Sequence, residues 1–554
     1  MHDYCQYNSK SYNLKNLLFL LFFSIVVASG VVGQKKVKLE SADKLEGGKI
    51  DGKRFDSFVG SVVFYHEGTR IFCDSAAYFK QDNRLEAYGH VVIDDQDSVK
   101  VFSDLLYYDG NTKIAKLRKN VVFEKLGEMT LYTDFLDYNR EIELATYFNG
   151  GKIVDSTNEL KSKKGYYEVR RNMASFKTDV EGKNPDYTLK TDTLQYNTST
   201  KFIYFRDTTY LTDAKGNIFV YQSGEYNTLE DQSDFKKGYM ESETYFLYGD
   251  QLRFDNISGY NTARGNVKMV SKENDIIILG EKADYYKFDK TIKIYGNALV
   301  KMASENGDTL YLSADTLISI DAELDIDKRL QAFKNVKIFK SNLQGVADSL
   351  VYFQSDSLIT FYDDPIIWSE GNQMTADTIN IRIANQTLSS LHLRSNSFVI
   401  SEDTLGNYNQ IKGREMDALF EDDELRTVYV NGNGESIFFM LKEDNSGIMG
   451  MNRILCSSMK LNFLNNDIQD VTFYTNPDGQ FIPPHELKIK DRKLNGFKWF
   501  GNIKPLMKDV IPEKYLSIDK TSETDLEDID KTDKNQPPAN VEKDKKEKEK
   551  SDKL

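Results

Sequence analysis

The chain has 554 residues, of which 29% are charged, and a formal net charge of −14 at pH 7. Nucleic acid is an unsuitable partner, because phosphate binding needs a basic face and the acidic excess is spread along the whole chain. Only three cysteines occur, Cys5, Cys73 and Cys456. The fold is therefore expected to rest on backbone hydrogen bonds and apolar burial.

The first 33 residues have the composition of a secretion signal. Lys10 and Lys15 flank a polar start, an apolar run covers residues 17–27, and small residues follow up to Gly33. We interpret residues 1–33 as a signal peptide. An uncleaved inner-membrane anchor is the alternative, and it is less favoured because the run is short for a membrane span. No cysteine stands directly after the run, which argues against a lipoprotein anchor.

From Asp74 onwards a motif of the form Asp-x-apolar-x-aromatic returns about every thirty residues. Its clearest copies begin at Asp74, Asp104, Asp134, Asp192, Asp250, Asp284, Asp348 and Asp377. Degenerate copies begin at Asp315 and Asp417, and Gly165, Gly224 and Ser457 stand where the Asp would be in others. About thirteen units result. Units this small must stack to bury their apolar faces, so function is expected in a shared surface or groove.

Within a unit, apolar residues alternate on both sides of the Asp, as at Val101 and Leu106 around Asp104. A period of two predicts β-strands. A second short strand is introduced by Gly or Asn, for example at Gly89 and Asn120. Each unit is thus expected to supply two strands and two turns. If units add strands at about 4.8 Å, Cys73 and Cys456 lie roughly 60 Å apart, too far for a disulfide.

The recurring Asp has two interpretations. A short side chain that bonds local backbone suits a strand corner or bulge, and regularly spaced acids also occur in calcium-binding β-rolls. We favour the structural role, because one Asp per thirty residues is sparse for a metal site. The predicted strand-corner residues are Asp74, Asp104, Asp134, Asp192, Asp315 and Asp377.

No catalytic or metal-binding signature accompanies the repeat. The five histidines are isolated in the sequence, and no nucleophile elbow, phosphate loop or dinucleotide fingerprint is present. The sequence therefore predicts a protein that is not an enzyme, with no cofactor and no bound metal.

Residues 477–520 depart from the strand rhythm. Pro477 to Pro484 interrupt the alternation, and an aromatic, basic cluster follows at residues 497–505. We predict a C-terminal cap over the last apolar edge, with a partner-docking site as the alternative. Residues 521–554 are mostly Lys, Asp, Glu, Asn and Pro without periodicity, which predicts a disordered charged tail. This tail would solubilise the chain or tether it to a partner.

The best-preserved units carry a family resemblance. Leu310-Tyr-Leu-Ser-Ala-Asp-Thr-Leu317, Met374-Thr-Ala-Asp-Thr-Ile379 and Gly265-Asn-Val267 resemble the OstA-like family, the periplasmic lipopolysaccharide-transport bridge and its relatives. The stretch from Gly432 to Met459 is similar to the long members of Bacteroidetes-type bacteria. The resemblance covers roughly residues 40–480. It implies an elongated open β-jellyroll, a trough of two facing sheets whose apolar interior shields acyl chains.

Together, the pattern and the resemblance predict an all-β array over residues 40–476. The implied function is a periplasmic bridge that carries lipopolysaccharide toward the outer membrane, itself associated with that membrane. Partners would be lipopolysaccharide, other jellyroll proteins joined by edge-strand pairing, and components of either membrane. A carbohydrate-binding or carbohydrate-cleaving β-solenoid and an envelope scaffold are the alternatives. The residues expected to line the groove are Ile71, Val101, Leu131, Leu189, Leu312 and Met374.

Overall fold

The computed structural model of the protein describes residues 36–50, 52–95, 99–272, 275–303, 308–322, 324–384, 387–421, 424–464 and 467–516. The predicted all-β class is confirmed, since antiparallel strands make up almost all of the described chain. Two compact units divide it: unit 1 ends at Lys201 and unit 2 begins at Phe202. The predicted signal peptide (residues 1–33) and charged tail (residues 521–554) lie outside the described residues.

Unit 1 holds twelve strands within its described ranges. They are β1 (Lys38–Ser41), β2 (Lys44–Ile50), β3 (Lys53–His66), β4 (Thr69–Phe79), β5 (Arg84–Asp95), β6 (Val99–Asp109), β7 (Ile114–Lys125), β8 (Met129–Asn139), β9 (Leu144–Val154), β10 (Glu159–Glu168), β11 (Met173–Lys183) and β12 (Tyr187–Asn197). Both β1 and β2 pair with β3, and from β3 to β12 each strand pairs antiparallel with the next.

Unit 2 continues the two-strand repeat and ends in short helices. Its strands are β13 (Phe202–Phe205), β14 (Thr209–Asp213), β15 (Ile218–Asn227), β16 (Gln232–Glu241), β17 (Tyr245–Asp255), β18 (Tyr260–Ser271), β19 (Ile276–Tyr286), β20 (Thr291–Ala303), β21 (Thr309–Ile320), β22 (Arg329–Lys340), β23 (Leu343–Phe353), β24 (Leu358–Tyr362), β25 (Ile366–Ser369), β26 (Asn372–Thr375), β27 (Thr378–Ala384), β28 (Thr387–Arg394), β29 (Phe398–Glu402), β30 (Tyr408–Lys412), β31 (Glu415–Glu421), β32 (Glu424–Leu441), β33 (Ile448–Leu464), β34 (Asp467–Tyr474) and β35 (Asp478–Ile482). The helices are α1 (Met507–Val510) and α2 (Glu513–Leu516). Within the described ranges, no helix has the length and apolar composition that a membrane crossing needs.

Each repeat folds over at a kink in the middle of its strands. Val101 and Leu106 are both buried, although they lie five residues apart on β6 and simple alternation would put them on opposite faces. The register shifts between Phe102 and Leu105, so Asp104 occupies a bulge that changes the phase. Both halves of the strand therefore present apolar side chains to one interior.

The partner strand bends at a pair of residues with positive φ. On β5 these are Gly89 (φ 75°) and His90 (φ 42°), and a Cβ atom at Gly89 would lie 2.3 Å from Oδ2 of Asp74. Glycine is thus favoured both by conformation and by space. The sequence placed the start of a separate short strand at Gly89, whereas β5 begins at Arg84 and runs through the kink. Residues with a left-handed backbone conformation here bend the strand without ending it.

In unit 1 the space between the two halves is filled by aromatic rings. The tyrosine that closes the motif is buried at Tyr108, Tyr138 and Tyr196, each about 1% exposed. Its hydroxyl finds a polar partner in each case: Arg140 and His66 for Tyr108, Asp95 for Tyr138, and Asp155 for Tyr196. Polar partners for these hydroxyls offset the cost of burying them, so large tyrosine rings can occupy the interior.

Both described cysteines are free thiols. Cys73 is buried in unit 1, and this burial raises the pKa of its thiol to about 12. Cys456 lies on β33 in unit 2 and is half-buried. The Cys73 thiol therefore stays protonated at neutral pH and acts as a small apolar side chain.

Towards the end of unit 2 the kinks separate the repeat into two sheets. The strands β25, β26, β29 and β30 form one sheet, called the first sheet, and β24, β27, β28 and β31 form the second sheet. The long strands β32 and β33 run through both, and their register shifts between Asn431 and Gly434. In the same way, β35 extends the first sheet and β34 the second.

Residues 483–516, the C-terminal strap, cover one face of unit 2. Leu494 packs with Phe398, Ile400, Phe439 and Met451, whereas Ile511 and Tyr515 pack with Leu279 and Leu299. Residues 477–520 were predicted as a C-terminal cap over the last apolar edge. Within that range, the strap lies against outward-facing side chains of several strands, which would otherwise form a large exposed apolar patch.

Candidate functional site

An apolar cavity of about 550 Å³ lies between the first and second sheets of unit 2. Its size lies within the range of about 300–1,000 Å³ that is usual for ligand sites. Side chains from both sheets line it, including Val399 and Ile411 from the first and Leu391 and Ala418 from the second. The kinked strands thus enclose a space that the repeat in unit 1 fills with side chains.

The wall formed by the second sheet is built from rows of aliphatic residues on adjacent strands. Leu391 of β28 lies opposite Ala418 of β31, which lies opposite Val428 of β32. The same row continues through Leu461 on β33 to Val471 on β34. Because side chains alternate along a strand, every second residue of these strands faces the cavity. The wall is therefore continuous and apolar.

The wall formed by the first sheet is apolar at its centre and polar at one end. Met374, Val399 and Ile411 form a row across β26, β29 and β30. Two positions further along the strands lies a row of amides and hydroxyls, which we call the polar row. It consists of Ser369, Asn372, Ser401, Asn409 and Asn452, with the apolar Phe438 opposite Asn452. The Asn409 amide oxygen also accepts a 2.8 Å hydrogen bond from the Phe439 backbone N–H.

The structure places the six predicted groove residues in two kinds of environment. Ile71, Val101, Leu131 and Leu189 are at most 2% exposed in the packed interior of unit 1, and Leu312 is 6% exposed in unit 2. Met374 is half-buried and lines the cavity. Their contact with a lipid stays a prediction. Among them, Met374 alone is brought together with the cavity described above.

The six predicted strand-corner acids are all exposed and lie beside the kinks. Asn120 Nδ2 donates a 2.7 Å hydrogen bond to Asp104, Asn335 donates to Asp315 at 3.1 Å, and Asn396 donates to Asp377 at 3.0 Å. Asp134 accepts from the Asn120 backbone N–H, and Asp74 from His90. No cluster of three or more potential metal ligands occurs in the described parts of the chain. The geometry fits a brace across each kink.

The Asp74–His90 brace predicts a shifted titration. The hydrogen bond from His90 Nδ1 to Asp74, 2.7 Å long, raises the pKa of the imidazole above its usual 6.5, and the charge of Asp74 acts in the same direction. We expect Asp74→Asn to lower the His90 titration midpoint measured by NMR. The attraction between the charged imidazole and Asp74 is present while His90 is protonated, and it is lost as pH rises through the raised pKa. An unchanged midpoint in Asp74→Asn would contradict the contact.

A serine, histidine and aspartate line up on the outer face of the second sheet. Ser390 Oγ lies 3.0 Å from His392 Nε2, and His392 Nδ1 lies 2.7 Å from Asp417 Oδ1. A hydrolytic nucleophile must be open to substrate and near oxyanion donors, but Ser390 is 6% exposed and lies in mid-strand with paired neighbours on both sides. We interpret these hydrogen bonds between Ser390, His392 and Asp417 as structural. Sequence reasoning missed them because His392 and Asp417 are 25 residues apart.

Comparison with known families identifies the first part of the chain. Residues 34–192 match the model of the OstA-like protein family. This region is OstA-like. The match covers most of unit 1, and no curated protein matches the chain. The predicted family resemblance is thereby confirmed for residues 34–192. Its extension to about residue 480 and its placement among the long Bacteroidetes-type members stay predictions.

The cavity lies beyond the segment matched as OstA-like, but the same repeat continues into unit 2. Asp104 and Asn120 form the brace within the OstA-like region, and Asp250 with Asn266 forms it in unit 2 with a distance of 2.8 Å. Asp377 with Asn396 repeats it beside the cavity. Both units therefore share the brace at which the strands kink. They differ in how completely side chains fill the space between the two halves of the strands.

Proposed function

We propose that the protein is a lipid-binding bridge of the bacterial periplasm that carries lipopolysaccharide by its acyl chains toward the outer membrane. The observation that supports this most directly is the apolar cavity between the two sheets of unit 2. The OstA-like match of residues 34–192 supports it independently, because this family is one of lipid transport and binding. Export through the signal peptide and edge-strand pairing with other jellyroll proteins belong to the same proposal.

Apolar burial is sufficient for binding without any chemistry on the protein. Each methylene group moved from water into an apolar site contributes about 0.8 kcal/mol. The aliphatic rows that contain Leu391 and Met374 offer such contacts along both walls. Because the hydrophobic effect is not directional, an acyl chain can slide along the walls while the sugars of the lipid stay in water. Such a site suits transfer better than tight, specific capture.

Site-specific photo-crosslinking tests the proposal. A photo-reactive amino acid at Ile411, which faces the cavity, is expected to capture lipopolysaccharide added to the purified protein. Leu419 is the matched control, because it is also apolar but lies on the outer face of β31 and is 41% exposed. Capture from Leu419 that equals capture from Ile411 would remove the cavity as the lipid path. It would then favour the envelope-scaffold alternative.

A further inference from the structure

The charge at one end of the cavity is predominantly negative. Among the described residues that line it, Glu370 is the one charged side chain, and it lies in the turn between β25 and β26. The polar row begins directly beside this turn, and Asn372 Nδ2 donates a 3.1 Å hydrogen bond to the Glu370 carbonyl oxygen. A ligand that enters here meets hydroxyls, amides and a carboxylate, and no cationic group among those lining residues.

The neighbouring hairpin turns at the same end of the first sheet add to the negative charge. Asp403 begins the turn after β29, and Glu443 and Asp444 lie in the turn after β32, where Lys442 is the accompanying cation. Hydrogen bonds from the Ser446 side chain and backbone lower the pKa of Asp444, so this carboxylate is ionised at neutral pH. Together with Glu370, these three turns carry four carboxylates and one ammonium group.

We propose that the lipid held in this cavity carries an uncharged or amine-bearing group beside its acyl chains, and not a phosphate. This inference rests on the proposed lipid-binding function and adds the class of head group. A phosphate placed at the polar row would lie near the exposed Glu370 carboxylate without a cationic partner in the lining, and the two like charges would repel each other. A hydroxyl, amide or ammonium group would find acceptors in Asn372, Ser401 and Asn409.

For lipopolysaccharide, the proposal means that phosphates either are few or remain outside the acidic turns while the chains are bound. Electrostatic complementarity of this kind selects among ligands more than it strengthens binding. The apolar walls supply the affinity, and the acidic end discriminates between head groups. Specificity would thus come from a repulsive element at Glu370 and its neighbouring turns.

Three probes with the same alkyl chain and different heads test the proposal: a long-chain alcohol, the corresponding amine and the corresponding alkyl phosphate. Each competes with a fluorescent fatty-acyl probe for the full-length protein at low salt and at high salt. We expect the amine to bind tightest and the phosphate weakest, with a difference of about threefold to tenfold that shrinks at high salt. Glu370→Gln should narrow this difference, whereas Glu225→Gln, an exposed acid on β15, should not.

The outcomes separate this inference from the proposed function. Equal binding of the three probes would overturn the head-group inference and leave lipid binding standing. Tightest binding of the phosphate would overturn it as well. If neither the fluorescent lipid nor any of the three probes binds the folded protein, the proposed function fails together with the inference. An unchanged preference in Glu370→Gln, with the amine still favoured, would remove Glu370 as the discriminating group and contradict the proposal.

Discussion

Ile411→Asp is expected to abolish lipid binding while unit 2 stays folded. Ile411 is half-buried in the centre of the wall formed by the first sheet, between Val399 on one side and Ser436 on the other. A carboxylate there stays hydrated only if water enters the cavity, and an acyl chain would have to displace that water. Binding of the fluorescent fatty-acyl probe should therefore fall by more than about tenfold, since an unpaired charge in an apolar site costs several kcal/mol.

Two control variants distinguish a blocked cavity from a damaged fold. Leu419→Asp adds the same charge on the outer face of β31 and should leave lipid binding nearly unchanged. Leu131→Asp should instead prevent unit 1 from folding, because Leu131 is 0% exposed among packed side chains. Circular dichroism and urea unfolding check the fold of each variant. Normal lipid binding by folded Ile411→Asp would show that the chains do not pass this wall.

The repeat and its Asp were readable from the sequence because they follow from local geometry. Apolar residues three before and two after Asp104 are separated by an odd number of positions, and a bulge at the Asp is what brings Val101 and Leu106 to one interior. The braces to Asn120 and its equivalents were not predicted. Their signal was present, since Asn or His follows sixteen residues after Asp74, Asp104 and Asp250.

A sequence signal for the position of the cavity was also present, in copies of the motif that lack the closing aromatic residue. The closing aromatic is Tyr108 or Tyr138 in unit 1, and there it fills the interior. In the copies that begin at Asp377 and Asp417, the same position holds Ile381 and Glu421. Loss of a large ring removes packing volume, and β31, which carries the second of these copies, lines the cavity through Met416, Ala418 and Phe420. The six predicted groove residues were chosen by motif position alone, which does not distinguish a filled interior from an open one.

The C-terminal strap could not be placed from sequence because its contacts have no period and join residues far apart. Gln373 Nε2 donates to the Lys498 carbonyl oxygen at 2.8 Å, and its Oε1 accepts from the Phe500 backbone N–H at 2.6 Å. Gln410 makes the same pair of bonds with Arg492 and Leu494, both 2.8 Å long. Each buried Gln amide thus offers the strap one donor and one acceptor, as the backbone of a neighbouring strand would.

Gln410→Leu is expected to release this part of the strap and destabilise unit 2. The substitution keeps apolar bulk but leaves the Leu494 N–H and the Arg492 carbonyl oxygen without their partner, and Leu494 is buried. An orphaned buried polar group costs about 1–3 kcal/mol. Two such groups are affected, so urea unfolding should show a loss of about 2–6 kcal/mol in the free energy of unfolding. Hydrogen exchange should accelerate at the Leu494 amide.

The matched control is Gln222→Leu, because Gln222 is exposed on β15 and a change there is expected to be within about 0.5 kcal/mol. Gln373→Leu should resemble Gln410→Leu, with faster exchange at Phe500 instead of Leu494, because its two bonds have the same form. Combining both substitutions should cost more than either alone, since the strap then loses both amide anchors and exposes the apolar face beneath it. If Gln410→Leu keeps the stability of the parent chain and slow exchange at Leu494, the amide does not anchor the strap. Apolar packing of Leu494 against Phe398 and Met451 would then be what holds it.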